Sequence, residues 1–144
     1  MADLLMYDAV DVAAIPAHAQ MVAGYVDGGY RTWHELVHRF PRARKVSITV
    51  TGDAVADVID VERGDAGPQK AVAWVRAMRA QHRRPIVYTS SGNLDALFAA
   101  FTTEGEAHPF VWVADWTGVP PLAGLCRHAV RVAYGAAGDG PDRL

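Results

Sequence analysis

Seven short runs of β-branched and other apolar residues recur along the chain, and several are followed by a turn and a helical pattern. Runs of this kind are typical of strands buried on both faces, and their alternation with helices is typical of parallel sheets. The predicted strands span residues 6–9, 21–27, 45–51, 55–62, 85–89, 110–116 and 128–134. Helices are predicted over residues 32–40, 68–82 and 93–101. The pattern therefore predicts an α/β fold.

Two architectures are compatible with this alternation, a doubly wound open sheet and a (β/α) barrel. The chain has 144 residues, whereas a complete barrel with eight helices needs about 250. A barrel would therefore be compact and irregular, with about seven strands and reduced helices. The length also predicts a single domain covering residues 1–144.

Composition excludes several classes of protein. The single Cys126 rules out an internal disulfide framework and a cysteine-based zinc site. A formal net charge of −2 argues against a nucleic-acid binder, and the apolar runs are too short to span a membrane. Asp3, Asp8 and Asp11 interrupt the first apolar stretch, so no signal peptide is predicted. The expected location is the cytoplasm, or a cell wall or phage particle reached by another route.

Acidic residues lie near the ends of most predicted strands. They are Asp8, Asp27, Asp60, Glu62 and Asp115. In parallel α/β folds, ligands bind at the carboxyl ends of the strands. Turns also favour aspartate, so any one of these acids has an ordinary structural explanation.

Asp60 and Glu62 form the most informative pair. Side chains alternate between the faces of a strand, so these two acids share one face, whereas Ile59 and Val61 share the opposite face. Two crowded carboxylates cannot both ionise freely, so the pKa of one of them should rise, as a general acid requires.

Aromatic residues supply a second signal. They lie in or just after the predicted strands, where their faces could stack on sugar rings and their polar tips could bind hydroxyl groups. The set comprises Tyr25, Tyr30, Trp33, Tyr88, Trp112 and Trp116. Taken singly, each of them is better explained as part of a hydrophobic core than as a platform for a ligand.

One zinc-type signature is present. The segment from His34 through Glu35 to His38 matches H-E-x-x-H on a predicted helix. No third ligand is evident from the sequence, so we interpret the match as a chance feature of a solvated helix face.

Three segments together resemble glycoside hydrolase family 25, and more closely the glycoside-hydrolase-like domains of actinobacterial and phage proteins. They are VADVIDVERGD at 55–65, RPIVYTS at 84–90 and PFVWVADW at 109–116, and the order of motifs extends from about Tyr7 to Tyr134. The resemblance implies an irregular TIM-like barrel and a lysozyme-type activity on peptidoglycan, with no metal or other cofactor.

The same resemblance assigns roles to individual residues. It implies that Glu62 is the proton donor and that Asp60 and Asp8 complete the catalytic acids. The residues expected to bind substrate are Tyr25, Asp27, Tyr88, Trp112, Asp115 and Trp116.

Two other functions stay open at this point. The chain could be a non-catalytic glycan-binding or structural module of a phage or cell wall. It could also be a metal-dependent hydrolase that uses Mg²⁺ or Ca²⁺ on Asp27, Asp60, Glu62 and Asp115, or zinc on His34 and His38. The oligomeric state is not predicted.

Overall fold

The computed structural model describes residues 5–114, 129–133 and 142–143. The strands are β1 (Leu5–Asp8), β2 (Met21–Tyr25), β3 (Arg44–Thr49), β4 (Val58–Val61), β5 (Ile86–Ser90), β6 (Phe110–Ala114), β7 (Ala129–Ala133) and β8 (Asp142–Arg143). The helices are α1 (Trp33–Arg39), α2 (Pro68–Ala80) and α3 (Leu94–Thr103), with short 3-10 turns at Val12–Ala14 and Ser91–Asn93. Each of the seven predicted strands overlaps an observed one.

The strands form one sheet in the order β7-β6-β5-β4-β3-β2-β1-β8. Neighbours from β1 to β7 run parallel, and the short β8 pairs antiparallel with β1. Strands β1 to β6 curl into a half-barrel. The predicted seven-stranded barrel is therefore wrong in its closure, although the α/β class is confirmed. A barrel closes only when its last strand pairs with its first, and within the described residues no ladder joins β7 to β1 or to β8.

Helices α2 and α3 cover the convex face of β4, β5 and β6. The apolar stripe of α2 contributes Val72, Val75 and Met78, and α3 contributes Leu97 and Phe101. These side chains pack on the outward residues of the three strands, which are Ile59, Val61, Val87, Val111 and Val113. Burial of such side chains is the main stabilising contribution in a domain of this size.

Helix α1 covers the convex face of β2. Its Leu36 packs against Val22 in a second cluster. A Cβ at Gly24 would lie 3.2 Å from Leu36 Cδ1 and 3.3 Å from Thr32 Oγ1, so glycine lets the helix approach the strand closely.

Within the described parts of the chain, no helix combines the length and the apolar character that crossing a lipid bilayer requires.

The concave face of the sheet has a core of its own. Its buried residues are Met6, Ala23, Ile48, Val58 and Trp112. Tyr25, the last residue of β2, and Tyr88, in the middle of β5, pack against this cluster. Both faces of the central strands are therefore buried, which explains why their sequences lack strict alternation.

Candidate active site

A cleft of about 330 Å³ opens at the carboxyl ends of β1 to β4. Its polar lining comes from Tyr25, Asp27, Tyr30, Asp60, Glu62 and Asp65, and Val10, Gly29 and Val50 complete it. The cleft thus holds four carboxyl groups, and none of its lining residues is a lysine or an arginine. A concave site with converging titratable groups is the usual setting for ligand binding or catalysis.

Asp60 lies in β4, and its side chain points to the concave side. Its neighbours Ile59 and Val61 pack under α2 and α3, as the alternation of the strand predicts. The residue is only 6% exposed, and its Oδ1 has no hydrogen-bond partner among the described residues. Burial, with the negative charges of Glu62, Asp65 and Asp8, raises the pKa of Asp60 to about 8. At neutral pH this group therefore retains its proton.

Glu62 follows β4 and lines the same cleft from a half-buried position. Burial raises the pKa of Glu62, and the negative charge of Asp65 adds to the effect. Asp60 and Glu62 thus share one face, as predicted, and ionisation is disfavoured for both.

Asp65 returns to the cleft through a tight turn. Its backbone N–H donates to the carbonyl of Glu62 over 3.0 Å, and Gly64 has a φ of +95°. A glycine in this left-handed region is the signature of a turn that folds the chain back on itself. Sequence reasoning missed Asp65, although the glycine before it was the available signal.

Asp27 lies in the same cleft with very different surroundings. The hydroxyls of Thr49 and Thr51 donate to its Oδ2 over 2.5 and 2.7 Å, and the N–H of Val50 donates to its Oδ1 over 2.8 Å. Burial alone would favour the neutral acid, but these hydrogen bonds outweigh it and lower the pKa of Asp27. In the folded protein at neutral pH, this carboxylate is therefore ionised.

Asp8 and Tyr25 form a pair at the ends of β1 and β2. The Tyr25 hydroxyl donates to Asp8 Oδ2 over 2.9 Å. Burial raises the pKa of Asp8 to about 6, although the bond from Tyr25 opposes the rise. Burial and the adjacent carboxylate also raise the pKa of the Tyr25 hydroxyl, which remains a hydrogen-bond donor.

Thr32 holds Tyr25 in place. Its Oγ1 accepts from the backbone N–H of Tyr25 over 3.0 Å, and its own N–H donates to the Tyr25 carbonyl over 3.1 Å. Thr32 is the N-cap of α1, but its side chain makes no bond to the free backbone groups of that helix. The connection ties the start of α1 to the end of β2, next to the cleft.

Tyr88 lies on β5 directly beside Asp60 on β4. Its ring meets Trp112 of β6 edge-to-face, with centroids 5.0 Å apart and planes at 79°. Trp112 is 3% exposed and belongs to the concave core rather than to the lining of the cleft. The other two predicted substrate-binding residues, Asp115 and Trp116, lie outside the described residues.

The two histidines of the zinc-type signature are not among the residues that line the cleft. His34 and His38 are exposed on α1. In the described part of the chain, no third ligand joins them in a metal-binding group.

No family model matches the sequence, and no curated protein or solved structure shows a significant match to it. The chemistry of the cleft is therefore the basis for assigning a function.

Proposed function

We propose that this protein is a lysozyme-type glycoside hydrolase that cleaves peptidoglycan or a related glycan containing N-acetyl sugars. One observation carries the proposal. A single cleft holds three carboxyl groups whose pKa is raised, Asp60, Glu62 and Asp65, and one whose pKa is lowered, Asp27. Environments that push pKa values apart separate acids from anions at a catalytic site.

Glu62 is the proton donor in this proposal. It is more exposed than Asp60, so a bound glycan can reach it, and it stands at the position that the resemblance to family 25 gives to the proton donor. Its proton passes to the glycosidic oxygen as the bond from that oxygen to the anomeric carbon breaks. A raised pKa keeps the group protonated over more of the pH range in which the reaction runs.

Asp60 lies deeper and holds a proton of its own. Sequence reasoning left two roles open for it, stabilising positive charge at the anomeric centre or positioning the acetamido group of the substrate. The buried neutral form supports the second role, because a protonated carboxyl group carries no charge but can donate and accept hydrogen bonds.

Asp27 supplies the negative charge. The transition state of glycoside hydrolysis resembles an oxocarbenium ion, and an anion fixed nearby stabilises it. The donors from Thr49, Val50 and Thr51 hold this carboxylate in one orientation before substrate arrives. Such preorganisation is the usual source of electrostatic catalysis.

The aromatic residues and the fold fit the same interpretation. Tyr30 is 66% exposed at the cleft and offers a ring face for a sugar. Tyr25 lines the cleft and donates to Asp8, and Tyr88 lies beside Asp60 on the neighbouring strand, although neither Asp8 nor Tyr88 is among the lining residues. In the proposed relationship, the curled half-barrel is a reduced form of the family 25 barrel, in which the active site also lies at the carboxyl ends of the strands.

Release of reducing ends from purified peptidoglycan tests the proposal. We expect Glu62→Gln to lower the rate by about 10²–10⁴-fold, the usual contribution of a general acid. The control is Glu35→Gln, which makes the same change at an exposed position of α1. We expect this control to match the wild type.

Two results would contradict the hydrolase. If the wild type and Glu62→Gln released reducing ends at equal rates, Glu62 would not be the general acid. If neither protein released reducing ends, the proposed hydrolase activity would be wrong. Binding of glycan fragments without any release of reducing ends from peptidoglycan would instead support the non-catalytic glycan-binding module. Soluble fragments titrated into the wild type by calorimetry provide this second readout.

A further inference from the structure

Three carboxyl groups converge beside β4. Asp60, Glu62 and Asp65 each place one oxygen so that all three oxygens lie within 4.8 Å of one another. The turn from Glu62 to Asp65 brings the third group back toward the first two. Three oxygens at this spacing can contact one ion at the 2.0–2.6 Å distances typical of Mg²⁺ and Ca²⁺.

The state of Asp60 points independently to a missing partner. This side chain is 6% exposed and lines the cleft, yet its Oδ1 has no hydrogen-bond partner among the described residues. A buried polar atom without a partner is rare in native proteins and calls for an explanation. The cleft offers it no lysine or arginine side chain among its lining residues.

We propose that Asp60, Glu62 and Asp65 bind one hard divalent cation, Ca²⁺ or Mg²⁺, inside the cleft. The donors are all oxygen atoms, which these ions prefer, whereas structural zinc sites are built mainly from sulfur and nitrogen. Water fills the remaining coordination positions from the open side of the cleft, and the bound ion displaces to solvent the proton that Asp60 otherwise holds. Asp27, ionised in the same cleft, adds attraction for a cation without being a ligand.

One consequence rests on the proposed hydrolase. A Glu62 side chain that coordinates a cation cannot also donate a proton to a glycosidic oxygen. The cation therefore inhibits hydrolysis, and it and the glycan exclude each other from the cleft. The binding site itself does not depend on that activity.

Direct binding to the whole chain tests the site. Calorimetric titrations use CaCl₂ in one arm and MgCl₂ in the other, and Tb³⁺ luminescence excited through tyrosine reports occupancy near Tyr25. We expect one ion per chain, with a dissociation constant on the order of 10⁻⁴–10⁻³ M, because the site is open and has only three protein ligands.

Asp65→Asn is the decisive variant, because Asp65 is exposed and its substitution does not disturb the core. We expect it to weaken binding at least about tenfold, as loss of a charged ligand should. Glu62→Gln should weaken binding as well, and Glu35→Gln should bind as the wild type does. Circular dichroism of each variant provides the check on folding.

Saturable binding of either ion, lost in Asp65→Asn and kept in Glu35→Gln, supports the site. No saturable binding of either ion up to about 10 mM would overturn it, as would equal binding by a folded Asp65→Asn. Since no glycan is present in these titrations, the outcome is separate from that of the hydrolase. A chain that binds Ca²⁺ but releases no reducing ends keeps this site and loses the proposed activity.

Discussion

Two aspartates at the same cleft, Asp27 after β2 and Asp60 in β4, have opposite surroundings. Asp27 accepts two threonine hydroxyls and a backbone N–H, and its pKa falls. Asp60 is buried among other carboxyl groups, one of its oxygens has no partner in the described part of the chain, and its pKa rises to about 8. The comparison indicates that hydrogen-bond donors decide which acid is the anion, because burial acts in the same direction on both.

Within this comparison of the two aspartates, the largest expected effect concerns the anion, Asp27. In Asp27→Asn the amide keeps the shape of the side chain but loses its charge, so stabilisation of the cationic transition state is lost. We expect hydrolysis to fall about 10²–10³-fold, as for other preorganised electrostatic groups. Initial rates of reducing-end release measure it, and Asp95→Asn on the exposed side of α3 is the matched control. Unchanged rates would assign the negative charge to another residue.

The next effect concerns stability and the buried acid. The pKa of Asp60 is about 8 in the folded protein against an ordinary 3.8, so the folded state holds the proton more tightly than the unfolded chain. Stability from this group is complete below about pH 4 and is lost as the pH rises toward 8, by at most about 1.4 kcal/mol per pH unit. Asp60→Asn removes this decline.

Urea denaturation of the wild type, Asp60→Asn and Asp95→Asn at pH 5, 6.5 and 8 measures the effect. We expect the free energy of unfolding of the wild type and of Asp95→Asn to decrease over this range. The decrease should be markedly smaller in Asp60→Asn, with Asp8, Glu62 and Asp65 contributing the remainder because the pKa of each is also raised, that of Asp8 to about 6. A wild-type stability independent of pH would mean that Asp60 is ionised in the folded state.

The smallest effect concerns a single donor to Asp27. Thr51→Val removes one hydrogen bond from its Oδ2 and leaves those from Thr49 and Val50. One such bond to a charged group is worth about 1.5–3 kcal/mol at most, and less at an exposed position such as this one. We expect the acidic limb of the pH–rate profile to move upward by about half a pH unit to one unit.

Thr102→Val is the control for that variant, because the hydroxyl of Thr102 bonds His108 on the far side of the molecule. It should leave the acidic limb where the wild type has it. If Thr51→Val also leaves the limb in place, the ionisation of Asp27 does not control the rate.

The strands and the shared face of Asp60 and Glu62 could be predicted from the sequence, because both depend on patterns of neighbouring residues. The apolar runs predicted the positions of β1 to β7. The period of two along β4 placed both acids on the face opposite Ile59 and Val61. Boundaries were less well predicted. The predicted strand 55–62 is observed only at Val58–Val61, since Asp57 and the residues before it form a loop in which Asp57 Oδ2 accepts from Ser47.

Whether the sheet closes into a barrel, and which acids hold their protons, could not be predicted from the sequence. An open sheet and a barrel have the same strands and helices, and they differ in pairing between strands at opposite ends of the chain. The antiparallel β8 on the edge of β1 has no counterpart in the predicted pattern. Asp65 was not predicted as a site residue, because its position depends on a turn at Gly64 that brings it back toward β4.

The sequence by itself determined that strands alternate with helices and that two acids share a face at the end of β4, because side-chain direction along a strand depends only on residue spacing. Only the tertiary structure decided which carboxyl groups hold protons. The donors to Asp27 come from residues 22 to 24 positions later in the chain, and the burial of Asp60 comes from neighbouring strands. A pKa depends on distances between side chains in space, and these are settled only when the sheet has formed.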